Sequence, residues 1–334
     1  IPEIQGSKRL INVTSHNVYE DKAMCMEIKE LSAEEYDKTY PSEYVYNSVA
    51  FCELNREKVE RIRYLSIGDT KPRFGIILGE RADSLASPFS APFGGFTQCD
   101  TLRLDYMDEA ARLVADYACR MGKKLIITPP ALVYDTTLLS KWTNILSSHL
   151  STRWVDLNYH FDLSRMDDYS CHMERNAKKN LNRALRQDFC FVKLDSGKRS
   201  DVERAYNVIR RNREERGFPL RMTLEQVWQT VSRVVSADFF VLEHGGNDVA
   251  AVQVFRVSRN IAQVVYWGDI REYSALRPMN MITYCVFKHY HDAGLRILDI
   301  GISTECGVPN FGLCEFKESI GCGVTLKYSF ESKQ

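Results

Sequence analysis

The stretch LDIGISTECGVPNFGLCEFKESIGCGV, residues 298–324, places one lysine between two glycine-rich breaks near the end of the chain. It begins as a short apolar strand that carries one acidic residue, Asp299. A loop with glycine and proline follows, and then a short segment that contains Lys317. Gly321 and Gly323 separate this segment from a last apolar run. We therefore expect a strand, a loop, a helical turn and a final strand in this order.

The composition is that of a globular protein long enough for two domains. The chain has 334 residues, of which 44% are hydrophobic and 26% are charged. Lys and Arg together number 44, as do Asp and Glu, so the net charge favours neither nucleic acid nor membrane. Apolar runs fall short of the roughly 18 residues that span a bilayer. We expect no membrane span and no DNA partner.

The N-terminus and the cysteines favour the cytoplasm. IPEIQGSKRLINVTS lacks the apolar core of a signal peptide, so we expect the Asn12 sequon to meet no glycosylating compartment. The ten cysteines include no CxxC pair, which is typical of reduced thiols. Cys306, Cys314 and Cys322 recur at intervals of eight, but structural zinc needs a fourth ligand and closely spaced pairs. We predict no metal and expect these three cysteines to be buried.

The two halves of the chain repeat one order of elements. A hairpin over residues 61–80 precedes a helix that Gly122 ends and the buried strand KKLIITPP. A hairpin over residues 238–257 and the strand NIAQVVYWGD precede a helix that Gly294 ends and the strand LRILDIG. Because these glycines lie close to half a chain apart, we infer a diverged duplication with domains at 1–152 and 153–334. Hairpins flanked by helices predict α/β layers around mixed sheets.

Capping signals mark several helix starts. Ser32 with Glu35 and Thr223 with Gln226 form capping boxes, and Ser164 is a predicted N-cap after the strand TRWVDLNYHFDLS. The basic helix MERNAKKNLNRALRQDF follows. Such a run is usually a solvated face, although it could meet the phosphates of CoA, of a nucleotide-linked acceptor or of tRNA. Its cations are Arg175, Lys178, Lys179, Arg183 and Arg186.

This order of elements resembles the GNAT acyltransferase fold, and more closely the FemABX-like group, in which two GNAT-like domains lie in tandem. The likeness rests on RNAKKNLNRAL, VVYWGD, HDAGLRILDIG and GVPNFGLCEFKESIG in the second half, and on SPFSAPFGGF and the strand ending in ITPP in the first. It implies two tandem domains with mixed central sheets.

The resemblance also implies a reaction. An acyl or aminoacyl group would pass to a small-molecule or peptide amine by direct attack, without a covalent intermediate. The resemblance implies no tightly bound cofactor, and acyl-CoA or aminoacyl-tRNA as co-substrate. Because a shared fold does not establish activity, a catalytically silent protein that binds a ligand or partner is the alternative.

The sequence departs from acetyl-CoA-using GNAT domains before the long helix. Many of those domains carry a Gln/Arg-x-x-Gly-x-Gly/Ala loop around the pyrophosphate, whereas residues 274–282 read SALRPMNMI, without glycine. Pro278 suits the first helical position, and helix N-terminal N–H groups still bind anions. A CoA thioester is the commoner donor among GNAT relatives, whereas aminoacyl-tRNA suits the tandem form and the missing loop.

The resemblance implies Lys317 as the first catalytic candidate. In the Phe-Lys element of FemABX-like enzymes a lysine stabilises the reacting centre or the donor's phosphate. The alternative is a solvated cation paired with Glu315 or Glu318. Asp299, in an apolar strand, would position or deprotonate the amine, or else would hydrogen-bond to the glycine loop after it. Glu305, on that loop, is a further candidate base.

The candidates for donor binding surround the third strand and the start of the long helix. They are Tyr266, Arg277, Asn280 and Tyr284. Core packing is the favoured reading of Tyr266, and Asn280 could simply cap the helix. The resemblance also puts NREERGFPL near the same cleft, with Arg213 and Arg216.

Overall fold

The computed structural model describes residues 26–100 and 103–333. The Asn12 sequon and the N-terminal segment lie outside the described residues. Among the helices of the described part, none has the length and apolar character needed to cross a bilayer.

The described part of the first half alternates strands with helices in the predicted order. Its strands are β1 (Glu27–Leu31), β2 (Arg61–Gly68), β3 (Pro72–Glu80), β4 (Ser84–Ser87), β5 (Phe96–Gln98) and β6 (Lys124–Ile127). Its helices are α1 (Ala33–Thr39), α2 (Val49–Leu54), α3 (Leu104–Arg120) and α4 (Thr136–His149). The long strand β7 (Leu150–Asp162) leads into the second half.

The second half repeats this succession. Its helices are α5 (Tyr169–His172), α6 (Arg175–Ala184), α7 (Arg199–Arg216), α8 (Leu224–Arg233), α9 (Pro278–Asp292) and α10 (Phe311–Ser319). Its strands are β8 (Cys190–Leu194), β9 (Ala237–His244), β10 (Asn247–Arg256), β11 (Ile261–Asp269), β12 (Ile297–Ile302), β13 (Thr304–Glu305), β14 (Val308–Pro309) and β15 (Gly323–Ser332).

One mixed sheet contains thirteen of the described strands. Its two halves have equivalent strand orders when each is followed from its own edge to the centre. Its order is β1-β2-β3-β4-β6-β15-β7-β12-β11-β10-β9-β8, with β5 beside β3. Counted from the edges, β1 matches β8, β2 matches β9, β3 matches β10, β4 matches β11, β6 matches β12 and β15 matches β7. The pairs β4·β6 and β11·β12 are both parallel. The mixed α/β architecture is confirmed, and this symmetry is the one expected of a duplication.

Strands β7 and β15 join the halves at the centre of the sheet. They pair antiparallel from Gly323 opposite His160 to Ser332 opposite Leu150. β15 also pairs with β6 of the first half, and β7 pairs with β12 of the second. The first half therefore receives β15 from the C-terminal end of the chain, and β7 connects β15 to the strands of the second half. The boundary predicted between residues 152 and 153 falls inside β7, and the division into two domains stays a prediction.

Helices cover both faces because the strands alternate their apolar side chains. On one face α7 and α8 pack on residues such as Val241, Ala251 and Phe255. On the other, α6 and α9 pack on residues such as Leu298 and Ile300. The centre of the sheet is thus buried between layers, and its polar side chains lie away from water.

Most helix signals are confirmed and one is wrong. Both capping boxes are present, and Gly122 and Gly294 follow their helices at φ of 64° and 74°. Ser164 is not an N-cap, because the Asp162 carboxylate accepts hydrogen bonds from both the backbone N–H and the hydroxyl of Ser164. Asp162 therefore caps the turn, two residues earlier than predicted.

The cysteine expectation holds in part. The nine cysteines of the described residues are free thiols, and Cys314 is buried. Cys306 is exposed, contrary to prediction, because it lies at φ of 50° on the turn between β13 and β14. No group of three potential ligands able to hold a metal occurs within residues 26–100 and 103–333.

Candidate functional site

A gap opens between β11 and β12 in the second half. These parallel strands pair only at Ile261–Ile297, Ala262–Leu298 and Gln263–Asp299, although β11 runs on to Asp269 and β12 to Ile302. Beyond the three pairs, the edge of β11 that faces β12 carries backbone groups without a partner in any described strand. Backbone N–H groups of this kind can bind a carbonyl oxygen or a developing oxyanion.

The matching place in the first half is closed. β4 and β6 pair along their whole length, from Ser84–Lys124 to Ser87–Ile127. The loop after β4 then seals the strand ends, because Thr128 N–H donates to Ser87 O and Gly94 N–H donates to Thr128 O, each at 2.8 Å. The symmetry of the fold therefore does not extend to the gap.

Lys317, a residue of α10, is buried, and its side chain binds the end of β12. Its side chain is 2% exposed, and Nζ donates to the backbone oxygens of Ile300, Gly301 and Ile302 at 3.0, 2.9 and 3.1 Å. The reading of a solvated cation paired with Glu315 or Glu318 is therefore wrong. An ammonium has three donors, and all three are used on one strand end. The catalytic role of Lys317 stays a prediction.

The environment of Lys317 lowers its proton affinity. Burial brings the pKa of the ammonium down to about 8, while Cys322, Asp299 and Cys314 act in the opposite direction. Its Nζ also lies 5.3 Å from the centre of the Tyr159 ring. The charge is thus balanced by carbonyl dipoles and an aromatic face, without a paired carboxylate.

Asp299 lies on the opposite face of β12 and is saturated with hydrogen bonds. Oδ2 accepts from Tyr134 Oη at 2.7 Å and Gln263 Nε2 at 2.6 Å. Oδ1 accepts from Asn158 Nδ2 at 2.8 Å and from the backbone N–H of Gly301 at 2.9 Å. The last bond is the contact with the glycine loop that the sequence suggested. Its catalytic role stays a prediction, and these bonds favour positioning.

The other predicted residues lie on separate elements. Glu305 is exposed on β13. Arg277 is exposed and begins α9 at φ of 66°, a left-handed conformation that favours glycine, and Pro278 follows at the first helical position as expected. Asn280 is buried, and capping is the wrong reading of it because Arg277 is the N-cap and no side chain caps this helix. Tyr284 packs with Tyr169, their ring centres 6.0 Å apart.

Tyr266 belongs to a polar cluster on the α7 side of β11 that the sequence indicated only in part. The Arg213 guanidinium lies 5.5 Å from the centre of the Tyr266 ring. Gln253, opposite Tyr266 on β10, is fully buried, and both its amide atoms lack a hydrogen-bond partner among the described residues. The position of Gln253 inside an otherwise apolar strand was the sequence feature that could have identified it. Asp269, at the end of β11, accepts from Arg216 Nη2 at 2.6 Å.

Arg213 differs from Arg216 because it has no carboxylate partner in the described part of the chain, and its Nε is buried without a hydrogen bond. Burial lowers the pKa of its guanidinium, and the neighbouring charge of Arg216 lowers it further. A half-buried guanidinium without a counter-ion is a candidate site for an anionic group of a ligand.

Helix α6 presents a row of cations on the face that carries α9. It packs against both α9 and α10. Its cations are exposed, and no carboxylate among the described residues forms an ion pair with them; they are Arg175, Lys178, Lys179 and Arg183, with Arg186 just beyond the helix. They are thus available to a polyanion.

Comparisons with known proteins identify relatives of this fold. Residues 172–318, less than half of the chain, match the acetyltransferase (GNAT) domain family. FemX superposes with a TM-score of 0.65 at 12% identity, over 91% of this chain and 96% of FemX. A comparison with curated protein sequences finds no match.

Two further structures share the fold. The C-terminal domain of a putative lysylphosphatidylglycerol synthetase from Agrobacterium fabrum has a TM-score of 0.60 at 12% identity, over 90% of this chain and 92% of that one. A tandem GNAT protein from the clavulanic acid biosynthesis pathway has a TM-score of 0.50 at 12% identity, over 92% of this chain and 98% of that one. At these identities the likeness is one of fold, and it confirms the predicted resemblance.

Proposed function

We propose that this chain, whose residues 172–318 carry a GNAT domain within the fold shared with FemX, is an acyltransferase that passes an acyl or aminoacyl group to an amine. The observation that carries this proposal is the gap between β11 and β12. It leaves backbone donors free in the second half, whereas the first half closes the matching place. We therefore propose one donor site in each chain.

In the proposed reaction the donor's carbonyl lies in the gap, where free N–H groups of β11 stabilise the oxyanion. The lone pair of the amine forms the new C–N bond, and the C–S or C–O bond to the leaving group breaks. The amine loses one proton and the leaving group gains one. Glu305 is the candidate base, because the Asp299 carboxylate is fully engaged. Lys317 and Asp299 hold the strand that borders the gap.

The acceptor proposed for this site carries an anionic group besides its amine. Among the described residues, Arg213 supplies a guanidinium without an ion pair, and Gln253 beside Tyr266 supplies buried amide atoms without hydrogen-bond partners. Burial disfavours the charged guanidinium of Arg213 and lowers its pKa. A carboxylate or phosphate bound to it would offset this free-energy cost. This contact would hold the acceptor so that its free amine has a fixed position relative to β11.

The donor is a CoA thioester or an aminoacyl-tRNA. The N-terminus of α9 offers backbone N–H groups to a phosphate, with Arg277 beside them in place of the glycine loop. The unpaired cations of α6 favour the larger polyanion, because each phosphate contact adds affinity. The same surface would serve a ligand-binding protein that has kept the fold without the reaction, which is the second candidate.

A thermal-shift titration with CoA, acetyl-CoA and longer acyl-CoAs tests the donor. Ligand at a hundredfold excess over Kd stabilises the folded state by about 2.7 kcal/mol, so a saturable rise in Tm would identify a CoA thioester. No rise, together with saturable binding of aminoacyl-tRNA, would identify the other donor. Calorimetry should give one molecule of donor per chain.

Turnover separates the two candidate functions. A donor that binds and is consumed only when an amine is added supports the acyltransferase. A donor that binds without transfer to any of a panel of amino acids, amino sugars and peptides would support the silent binding protein. Failure of every donor to bind would contradict the proposal that the gap is a donor site.

A further inference from the structure

A second concave site lies on the other side of β12 from the gap. Its floor is formed by β7 and its wall by α10, and its volume is about 390 Å³, within the range of small-molecule sites. Since β12 stands between it and β11, this groove is separate from the proposed donor site. Its lining consists of Leu157, Tyr159, Pro309, Phe311, Cys314, Glu315 and Glu318.

The groove is surrounded by exposed apolar side chains. Phe311 is 78% exposed and Val308, next to Pro309, is 69% exposed. Val324 and Leu326 are also exposed, and they lie on β15 directly opposite Tyr159 and Leu157 of the floor. Large exposed apolar patches commonly mark binding sites. An apolar body of the ligand is the first requirement.

The polar side of the groove is acidic. Glu318 accepts a hydrogen bond from Tyr159 Oη at 2.6 Å through Oε1, which leaves Oε2 available. Glu315 lies one turn earlier on the same side of α10 and is exposed, without a partner among the described residues. The cation beside the groove, Lys317, is turned towards the carbonyls of β12 with the Tyr159 ring next to it. The charge left for a ligand is therefore negative.

We propose that this groove binds a small ammonium compound with an apolar aryl or alkyl body. The body would pack on Leu157, Pro309 and Phe311, and the ammonium would donate to Glu315 and Glu318. Aromatic faces attract a nearby cation, so the exposed ring of Phe311 can contact both parts of the ligand. The proposal goes beyond the acyl transfer, because it requires neither the donor nor turnover.

The test uses 2-phenylethylammonium as the probe at pH 7, where it is protonated, and 2-phenylethanol as its neutral match. Calorimetry should give saturable binding of the cation to the full chain and binding at least about tenfold weaker for the alcohol. No saturable binding of the cation at about 20 mM, a concentration well above the Kd of ordinary small-ligand sites, would overturn the proposal.

Matched variants locate the site. Glu315→Gln with Glu318→Gln should weaken the cation about tenfold or more, and Phe311→Ser should weaken both probes. Glu57→Gln and Leu185→Ser remove an exposed charge and an exposed apolar side chain elsewhere, and should leave binding unchanged. Because all these positions are exposed, each variant should fold, with an unchanged Tm as the check. Equal binding by the glutamine variant would overturn the proposal.

Discussion

Asp299 and Lys317 hold the two backbone groups of a single residue, Gly301. The Asp299 carboxylate accepts the Gly301 N–H at 2.9 Å, and the Lys317 ammonium donates to the Gly301 carbonyl at 2.9 Å. Gly301 has a φ of 72°, which a residue with a side chain adopts only at a cost. The two side chains thus fix a bend in β12 where it parts from β11, so a charged residue on each face of the sheet shapes the gap.

We expect Lys317→Met to loosen the end of β12, because it leaves three buried carbonyl oxygens without donors. Hydrogen exchange should quicken at the amides of Gly301, Ile302 and Ser303, and donor affinity should fall about tenfold. Lys288→Met, on the exposed side of α9, is the control. Loss of turnover with unchanged exchange and unchanged donor affinity would instead identify Lys317 as a catalytic residue.

Tyr134→Phe should destabilise the fold by about 1–3 kcal/mol, because it removes a donor from the buried Asp299 carboxylate. This bond links the two halves of the chain. Tyr44→Phe is the matched control, since Tyr44 packs edge-on against Tyr134 and its hydroxyl makes no hydrogen bond to the described residues. Urea denaturation of both variants gives the difference. Equal stabilities would show that the hydrogen bond contributes little.

The sequence predicts the elements of this fold well because their signals are local. The capping boxes at Ser32 and Thr223, the glycine stops at Gly122 and Gly294 and the two hairpins need only neighbouring residues, and all are present. The insertion of β15 between β6 of the first half and β7 was not predicted. It depends on pairing between residues such as Gly323 and His160, which no local pattern encodes.

The site was harder to predict than the fold, because its residues are distinguished by which hydrogen-bond and ion-pair partners they have in the folded chain. Lys317 looked like a solvated or ligand-facing cation, but three carbonyls bind it. Arg213 and Arg216 occur three positions apart in one basic segment, yet within the described part of the chain only Arg216 has a carboxylate partner. The partner is Asp269, which comes from another part of the chain. Sequence gives the residue types, whereas tertiary contacts decide which charges stay free.

Arg213→Met should leave stability unchanged or slightly higher while weakening the acceptor about tenfold, because its burial has no compensating ion pair. Arg216→Met is the contrast, since it leaves the nearly buried Asp269 carboxylate without its cationic partner. It should lower the free energy of unfolding by about 1–3 kcal/mol. The measurements are urea denaturation and the KM for the acceptor. A marked loss of stability in Arg213→Met would show a structural role.

Replacing Lys178, Lys179 and Arg183 by glutamine should weaken tRNA binding and lower the slope of log K against log salt by about 2–3, if these cations contact phosphates. The positions are exposed and unpaired within the described residues, so folding should be unaffected. Lys71 and Arg120, which are exposed, and Lys141, which is half-buried, form the matched glutamine triple in the first half. Equal slopes for the two triples would mean that α6 is a solvated face.

The pKa of Lys317 leads to a prediction about stability at alkaline pH. Burial lowers this pKa from its ordinary value of 10.5 to about 8 in the folded chain, so between these values the unfolded chain binds the proton more strongly. The free energy of unfolding therefore gains a positive slope with pH in this window. Relative to Lys317→Met, the native chain should gain up to about 3 kcal/mol as the pH rises from about 8 to 10.5.

Urea denaturation of both proteins at several pH values in this window measures the difference, in which the titration of other groups largely cancels. A difference that stays constant would mean that the ammonium has an ordinary pKa. A difference that falls as the pH rises would mean that the carbonyls of Ile300, Gly301 and Ile302 stabilise the charged form by more than burial disfavours it. In that case the bend at Gly301 would depend on the charge of Lys317 as well as on its hydrogen bonds.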